Sequence, residues 1–375
     1  MTGTRTGTLS ELVSPFLREK LAEARAQGED SRDYQAIWRQ YIRDPRESSF
    51  VAAERTRHYE SEVHIEFEGQ NVPGIERLYR RTILIEPTTA CAAHCRWCLR
   101  GQYPIQTLKP DQVELAARYI GSESVRDDLR EVLVTGGDPL MSVPLLRHTL
   151  SMLRRHAPNI SIVRIGTRVP VQDPRRVDDA MLDMFAGFHD LRLELGLNIN
   201  HPVEFWPESV AALQRLQRVG IRMYNQHPLL RGVNDDLSVL TELYGLLRDH
   251  GIEAHYLFHA IPMRGTAHHR TSLDRGLQLA NALDSCGEFS GRAKPRFAVL
   301  SDLGKIVLHE GAIVERREQT NEVLIRSGYR LDDRLRWNPG WRVPPGTTIA
   351  PDGTMMTWYL DADERAVQPA SLRVL

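Results

Sequence analysis

TILIEPTTACAAHCRWCLRGQY, residues 82–103, joins a short apolar run rich in β-branched residues to a loop that carries Cys91, Cys95 and Cys98. The run TILIEP reads as a buried strand and the cysteines follow it directly, so they fall at the strand's C-terminal mouth. Immediately beyond, LKPDQVELAARYIG has apolar residues at helical spacing. The same unit then recurs. Strands are expected at 82–87, 131–136, 161–167, 192–198, 221–227 and 253–260, with amphipathic helical stretches between them. Six β–α units imply a parallel sheet curled into a partial TIM-like (β/α)6 barrel, an α/β fold whose reactive end is built from the loops after the strands.

The flanks differ in texture. Residues 1–75 read as a helical N-terminal segment, from FLREKLAEARAQ and YQAIWRQYIRD, ending at the Val72-Pro73-Gly74 break. Residues 76–290 form the barrel. Residues 291–375 read as a β-rich C-terminal extension with hairpin punctuation such as Asp352-Gly353.

Composition narrows the function. Lys plus Arg number 48 against 49 Asp plus Glu, so no net charge draws the chain to nucleic acid or to an anionic membrane. No apolar run approaches the ~20 residues of a membrane span, and no signal-peptide pattern opens the chain, so a cytoplasmic location is expected. Four cysteines occur, three of them within eight residues of each other and Cys286 far away. That pattern suits metal ligation in a reducing compartment, not a disulfide framework. Three thiolates on one loop can serve three irons of a [4Fe–4S] cubane and leave the fourth open. A closed zinc site needs a fourth ligand, and none follows Cys98 at knuckle spacing. His94, lodged between the cysteines, reads as a supporting or exposed residue.

The C-x3-C-x2-C spacing, with Trp97 before the last cysteine, resembles the signature of the radical S-adenosylmethionine (SAM) superfamily. That resemblance implies a 5′-deoxyadenosyl radical that takes hydrogen from a small-molecule substrate, and a reductant such as flavodoxin or ferredoxin. Gly136, Gly137 and Asp138, at the end of the second strand, match the family's glycine-rich contact to the methionine amino group. A tight βα turn is the plainer reading of the same residues. Arg164, Arg168, Asn198, Asn200 and His201 lie at strand ends facing the mouth, and Arg168 and Asn200 are expected at the cofactor.

A closer resemblance, to the lysine 2,3-aminomutase group, runs through NVPGIERLY (71–79), GGDPL (136–140), VRIGTRVPV (163–171), NINHPVEFWPESV (198–210), NQHPLLRGVND (225–235) and FAVLSDLGKIVL (297–308). It implies pyridoxal 5′-phosphate as a further cofactor, with Lys305 as its lysine, and Arg100 as the clamp for a substrate carboxylate. The family's phosphate-binding arginines fall on Leu78 and Thr82, and its phosphate tyrosine on Phe258. The acids that read a lysine side chain fall on Ile261 and roughly on Leu300. An amino acid other than lysine is therefore the expected substrate. Three readings stand: a pyridoxal-dependent aminomutase, a pyridoxal-independent radical enzyme (dehydrogenase, epimerase or lyase), and a cluster protein that senses or transfers electrons. A homo-oligomer is compatible with all three. The run RGTAHHRTS (264–272) reads as a solvated loop.

Overall fold

The computed structural model describes residues 9–49, 54, 65–101, 106–309 and 311–362. Two helices open it, α1 (Pro15–Gln27) and α2 (Arg32–Tyr41), each started by a serine side chain that accepts a backbone N–H of the first turn. A small hairpin, β1 (Ile65–Phe67) and β2 (Gln70–Val72), leads to β3 (Ile75–Glu76). The expected alternation follows. The strands are β4 (Thr82–Thr88), β5 (Glu131–Gly136), β6 (Ile162–Thr167), β7 (Arg192–Leu197), β8 (Arg222–Leu229) and β9 (Glu253–His259). Between them run α3 (Pro110–Ile120), α4 (Val143–His156), the short α5 (Val169–Gln172), α6 (Asp179–Ala186), α7 (Pro207–Arg218) and α8 (Leu237–Asp249). After α9 (Leu273–Ser285) come β10 (Arg296–Ser301) and β11 (Gly304–Val307).

All nine strands from β3 to β11 share one sheet in sequence order. Neighbours from β4 to β10 are parallel, while β3 and β11 close the two margins antiparallel. This is a curled, half-barrel sheet and an α/β fold of the partial TIM-like kind. The sheet runs across the divisions expected at 75/76 and 290/291, since β3 straddles the first and β10 and β11 lie beyond the second. The period of two sorts the side chains. Val132, Val134, Val163, Ile165 and Leu195 are buried toward the helices, where Leu146, Leu150, Leu213 and Leu243 join the same core. The alternate residues, including Leu133, Thr135, Arg164 and Gly166, line the barrel interior.

A four-stranded antiparallel sheet completes the C-terminal part, in the order β12 (Ile313–Arg317), β13 (Glu322–Arg330), β15 (Thr354–Leu360), β14 (Thr347–Ile349), with α10 (Leu331–Trp337) beside it. This sheet is tied to the barrel by the stretch expected to be a solvated loop. His268, His269, Arg270 and Thr271 are buried. The Arg270 guanidinium donates to the carbonyls of Ala260 and Leu360, and His259 joins the Thr271 carbonyl to Tyr359 Oη. Composition alone hid this, because Arg270 spends its hydrogen bonds on backbone carbonyls it meets only after folding. No helix among the described residues is long and apolar enough to cross a membrane.

Candidate functional site

A cavity of about 370 Å³ opens at the strands' C-terminal mouth. Cys91, Cys95 and Cys98 line it together with Gly136, Gly137, Asp138, Arg100, Arg168 and Lys305. Residues more than 200 positions apart thus face one space, because β4, β5, β6 and β11 all deliver them to the barrel interior.

The cysteine loop is held from three sides. Below it, the turn after β5 lies against its backbone: Gly137 N–H donates to the Thr88 carbonyl and Asp138 N–H to the Ala90 carbonyl, each at 2.8 Å. Gly136 has φ +112°, and a Cβ on Gly137 would stand 2.3 Å from the Ala90 carbonyl oxygen. Here the glycines bring the turn onto the cluster loop itself. The Asp138 carboxylate is fully engaged inside the protein, accepting from Thr167 Oγ1 and from the backbone N–H groups of Leu140, Arg168 and Val169.

Beside the loop stands Arg168. Its Nη1 donates to Cys95 Sγ at 2.9 Å, its Nε to the Asn198 carbonyl, and its Nη2 to Gln40 Oε1 and Glu204 Oε1. Gln172 Nε2 lies 3.4 Å from the same sulfur. Asn200 is not in the cavity wall. It is fully buried behind Arg168, with its Nδ2 on Gln40 Oε1. His201 is likewise buried and caps the Val203 N–H, while Asn198 reaches the cavity.

Above the loop lies the N-terminal segment, a partner that the spacing of the cysteines gave no hint of. The Arg96 guanidinium pairs with buried Glu47 and donates to the carbonyls of Leu9 and Ser10. The Arg96 and His94 N–H groups donate to the carbonyls of Gln40 and Leu12. His94 Nδ1 meets the Ser10 carbonyl at 2.8 Å, which places this ring in the covering contact.

The donor set suits an iron–sulfur cubane. Among the described residues no three His, Cys, Asp or Glu side chains gather for a single ion. A cubane makes a different demand, one thiolate for each of three irons at separate corners. Burial and then the neighbouring thiols push Cys91 up and hold Cys98 at about 11, so a positive ion is what would make thiolates of them. Guanidinium and amide donors to Cys95 Sγ are the partners a cluster-ligating thiolate would need in a dry site.

Lys305 is the second residue of β11 and is fixed by two tyrosines. Its backbone N–H donates to Tyr79 Oη at 3.1 Å, and its carbonyl accepts from Tyr329 Oη at 2.7 Å. Its Nζ lies over the rings of Tyr256 and Phe258, 5.3 and 5.4 Å from their centroids. Burial first, and then Arg164, lower the amine to about 8. The lysine also borders a second cavity of about 860 Å³ at the strands' N-terminal end, lined by Glu131, Arg164, Arg192, Glu194 and His255.

The amine thus suits a pyridoxal carbonyl, but the phosphate end does not match. Leu78, Thr82 and Phe258 all line the cavity and bring no charge. Arg77 and Arg80 are paired with Asp128, and Arg164 with Glu131. Arg100 lies between Glu76, at 3.7 Å, and Glu86. Burial holds the Glu86 carboxyl above its usual range, with Arg100 opposing and Glu76 reinforcing the rise. Neither acid was singled out in the sequence, although Glu86 inside the apolar run TILIEPT was a visible signal.

Comparison with known proteins agrees with this geometry. Residues 85–242 match the family model described as the Radical SAM superfamily. The chain is 33% identical to the L-lysine 2,3-aminomutase of Clostridium subterminale over 61% of its own length and 54% of that protein. It is 32% identical to the glutamate 2,3-aminomutase of Clostridioides difficile, over 61% and 54%. With the L-lysine 2,3-aminomutase of Bacillus subtilis the figures are 29%, 70% and 55%. The chain spans between about half and two thirds of the length of the curated relatives it matches.

Proposed function

We propose that this chain, similar over residues 85–242 to the radical SAM superfamily and over part of its length to the lysine 2,3-aminomutases, is a divergent member of that superfamily that abstracts hydrogen from an amino acid or similar small substrate and isomerises it in the aminomutase manner. One observation carries the reading: a single cavity is lined by Cys91, Cys95 and Cys98, by the glycine turn, and by Lys305. A [4Fe–4S] cluster with S-adenosylmethionine, once bound, supplies the adenosyl radical. The chain's own part is binding and exclusion of water. Cys91, Cys95 and Cys98 hold the cluster. Arg168 balances sulfur charge at Cys95. The Gly136-Gly137 turn sets how deep the cysteine loop sits, and its backbone borders the space for the cofactor's methionine. The electron comes from a small reductant protein such as flavodoxin or ferredoxin.

The decisive test is 5′-deoxyadenosine formation by anaerobically reconstituted protein given S-adenosylmethionine and a strong reductant. Product is expected, and Cys91→Ala abolishes it. An intact cluster with no product overturns the reading and leaves an electron-transfer or sensor protein.

A second reading keeps the radical and dispenses with pyridoxal phosphate, ending in dehydrogenation, elimination or epimerisation. The uncharged Leu78, Thr82 and Phe258 wall favours it, since a phosphate needs charged or multiple donors. Incubation with pyridoxal phosphate, borohydride trapping and peptide mass mapping separates the two. A modified Lys305 supports the aminomutase; no modification supports the second reading.

A further inference from the structure

Arg100 stands two residues beyond Cys98 in the cavity wall, where the family resemblance puts a clamp for a substrate carboxylate. Its surroundings point elsewhere. The antiparallel register of β3 on β4 sets Glu76 opposite Leu84, and the Glu86 N–H donates to the Gly74 carbonyl. The two strands thereby bring two buried carboxylates to one guanidinium. With both acids ionised the triad carries one negative charge; with one acid protonated it is neutral. In neither state does it offer net positive charge to the cavity. A third carboxylate arriving there would meet net negative charge or none, and no free cation, in a poorly solvated wall.

The rest of the lining has the same sense. Gln226 Oε1 and Asn198 Oδ1 border the same cavity and are buried without a hydrogen-bond partner among the described residues. Buried acceptors without donors are costly unless something brings donors to them. An ammonium group brings three and no acceptor.

We infer that this wall reads a cationic group on the ligand, Glu76 accepting from an ammonium while Glu86 retains Arg100, so that the substrate class is small amines and not compounds anchored through a carboxylate at Arg100. The inference depends on the radical-enzyme reading only for the ligand being a substrate. The charge preference itself requires no radical.

The probes are putrescine, a small diamine, and glutarate, a dicarboxylate of comparable length. Binding is measured anaerobically by calorimetry on reconstituted protein saturated with S-adenosylmethionine. Putrescine is expected to bind at least about tenfold more tightly than glutarate. Glu76→Gln narrows the gap, and Glu76→Gln with Glu86→Gln, which strips Arg100 of both acids, reverses it. Circular dichroism and iron content confirm that each variant is folded. Equal affinities, including binding of neither probe, overturn the inference, as does a preference that is undiminished in Glu76→Gln. Assay of 5′-deoxyadenosine in the same samples keeps the two claims apart: its absence removes the radical reading and leaves the charge preference to be judged on binding alone.

Discussion

Arg168 places its side-chain donors on a cysteine sulfur, a backbone carbonyl, an amide and a carboxylate. Removing the guanidinium leaves Glu204, which is 1% exposed, as a buried charge without its cation. Arg168→Met is therefore expected to cost about 3–5 kcal/mol in urea unfolding, with Arg168→Lys between it and the parent. Lys305 makes a different prediction, because its amine is lowered by burial to about 8 from an ordinary 10.5. Below pH 8 the lysine is charged in both folded and unfolded chains, and the full cost of burying that charge applies. Between 8 and 10.5 the folded chain binds fewer protons than the unfolded one, so stability rises with pH and the cost fades. Lys305→Met should stabilise the protein at pH 7 by a few kcal/mol, on the order of the shift in pKa, and the gain should vanish as pH passes 10.5. Thermal unfolding of both proteins across pH 6–11 (roughly the window these values span) reads it directly; a gain that is flat with pH would contradict the buried amine. Arg168 could be found in the sequence, because it ends a strand in a repeating unit. Its partners Gln40 and Glu204 could not, since nothing local marks an uncharged helix residue or a loop acid as the mate of a residue that distant.

At the scale of elements, the turn after β5 is what holds the cysteine loop in place. A Cβ at position 137 would meet the Ala90 carbonyl oxygen at 2.3 Å and the Thr89 carbonyl carbon at 2.4 Å, both backbone atoms that cannot swing aside. Gly137→Ala must push β5 and the loop apart, with an expected loss of about 1–3 kcal/mol and of most bound iron after reconstitution. Gly245→Ala, in α8 with nothing nearer than Phe289 at 4.0 Å, is the matched control. It should hold its iron and gain up to about 1 kcal/mol from helix propensity. Equal iron in the two variants would refute this account of the turn. The six barrel strands were legible because each is a short apolar run between amphipathic helices, and the structure places them at the expected ranges. The role of β10 and β11 was not. RFAVLSD and GKIVLHEG look like any hairpin, and only the parallel pairing of Arg296 with Tyr256 shows that they extend the barrel sheet and deliver Lys305 to its interior.

For the whole molecule, the proposed radical chemistry would require water and oxygen to be kept from the cysteine loop. The barrel supplies walls but leaves the mouth open, and it is chain from far upstream that covers it. Glu47 is the anchor of that cover: it is buried, and it pairs with Arg96 inside the cysteine loop. Glu47→Gln leaves a buried guanidinium without its acid and is expected to cost about 3 kcal/mol. The Leu9 and Ser10 carbonyls that share the same guanidinium should loosen with it. Bleaching of the cluster's visible absorption in air should then quicken several-fold. The exposed pair of Arg25 with Glu29, on the same segment but away from the loop, tests whether this is general destabilisation. Glu29→Gln should shift stability by less than about 0.5 kcal/mol and leave bleaching unchanged. If Glu47→Gln destabilised the fold while the bleaching rate stayed at the parent value, the N-terminal segment would be a structural brace and not a shield, and the protection of the cluster would have to come from the barrel mouth alone.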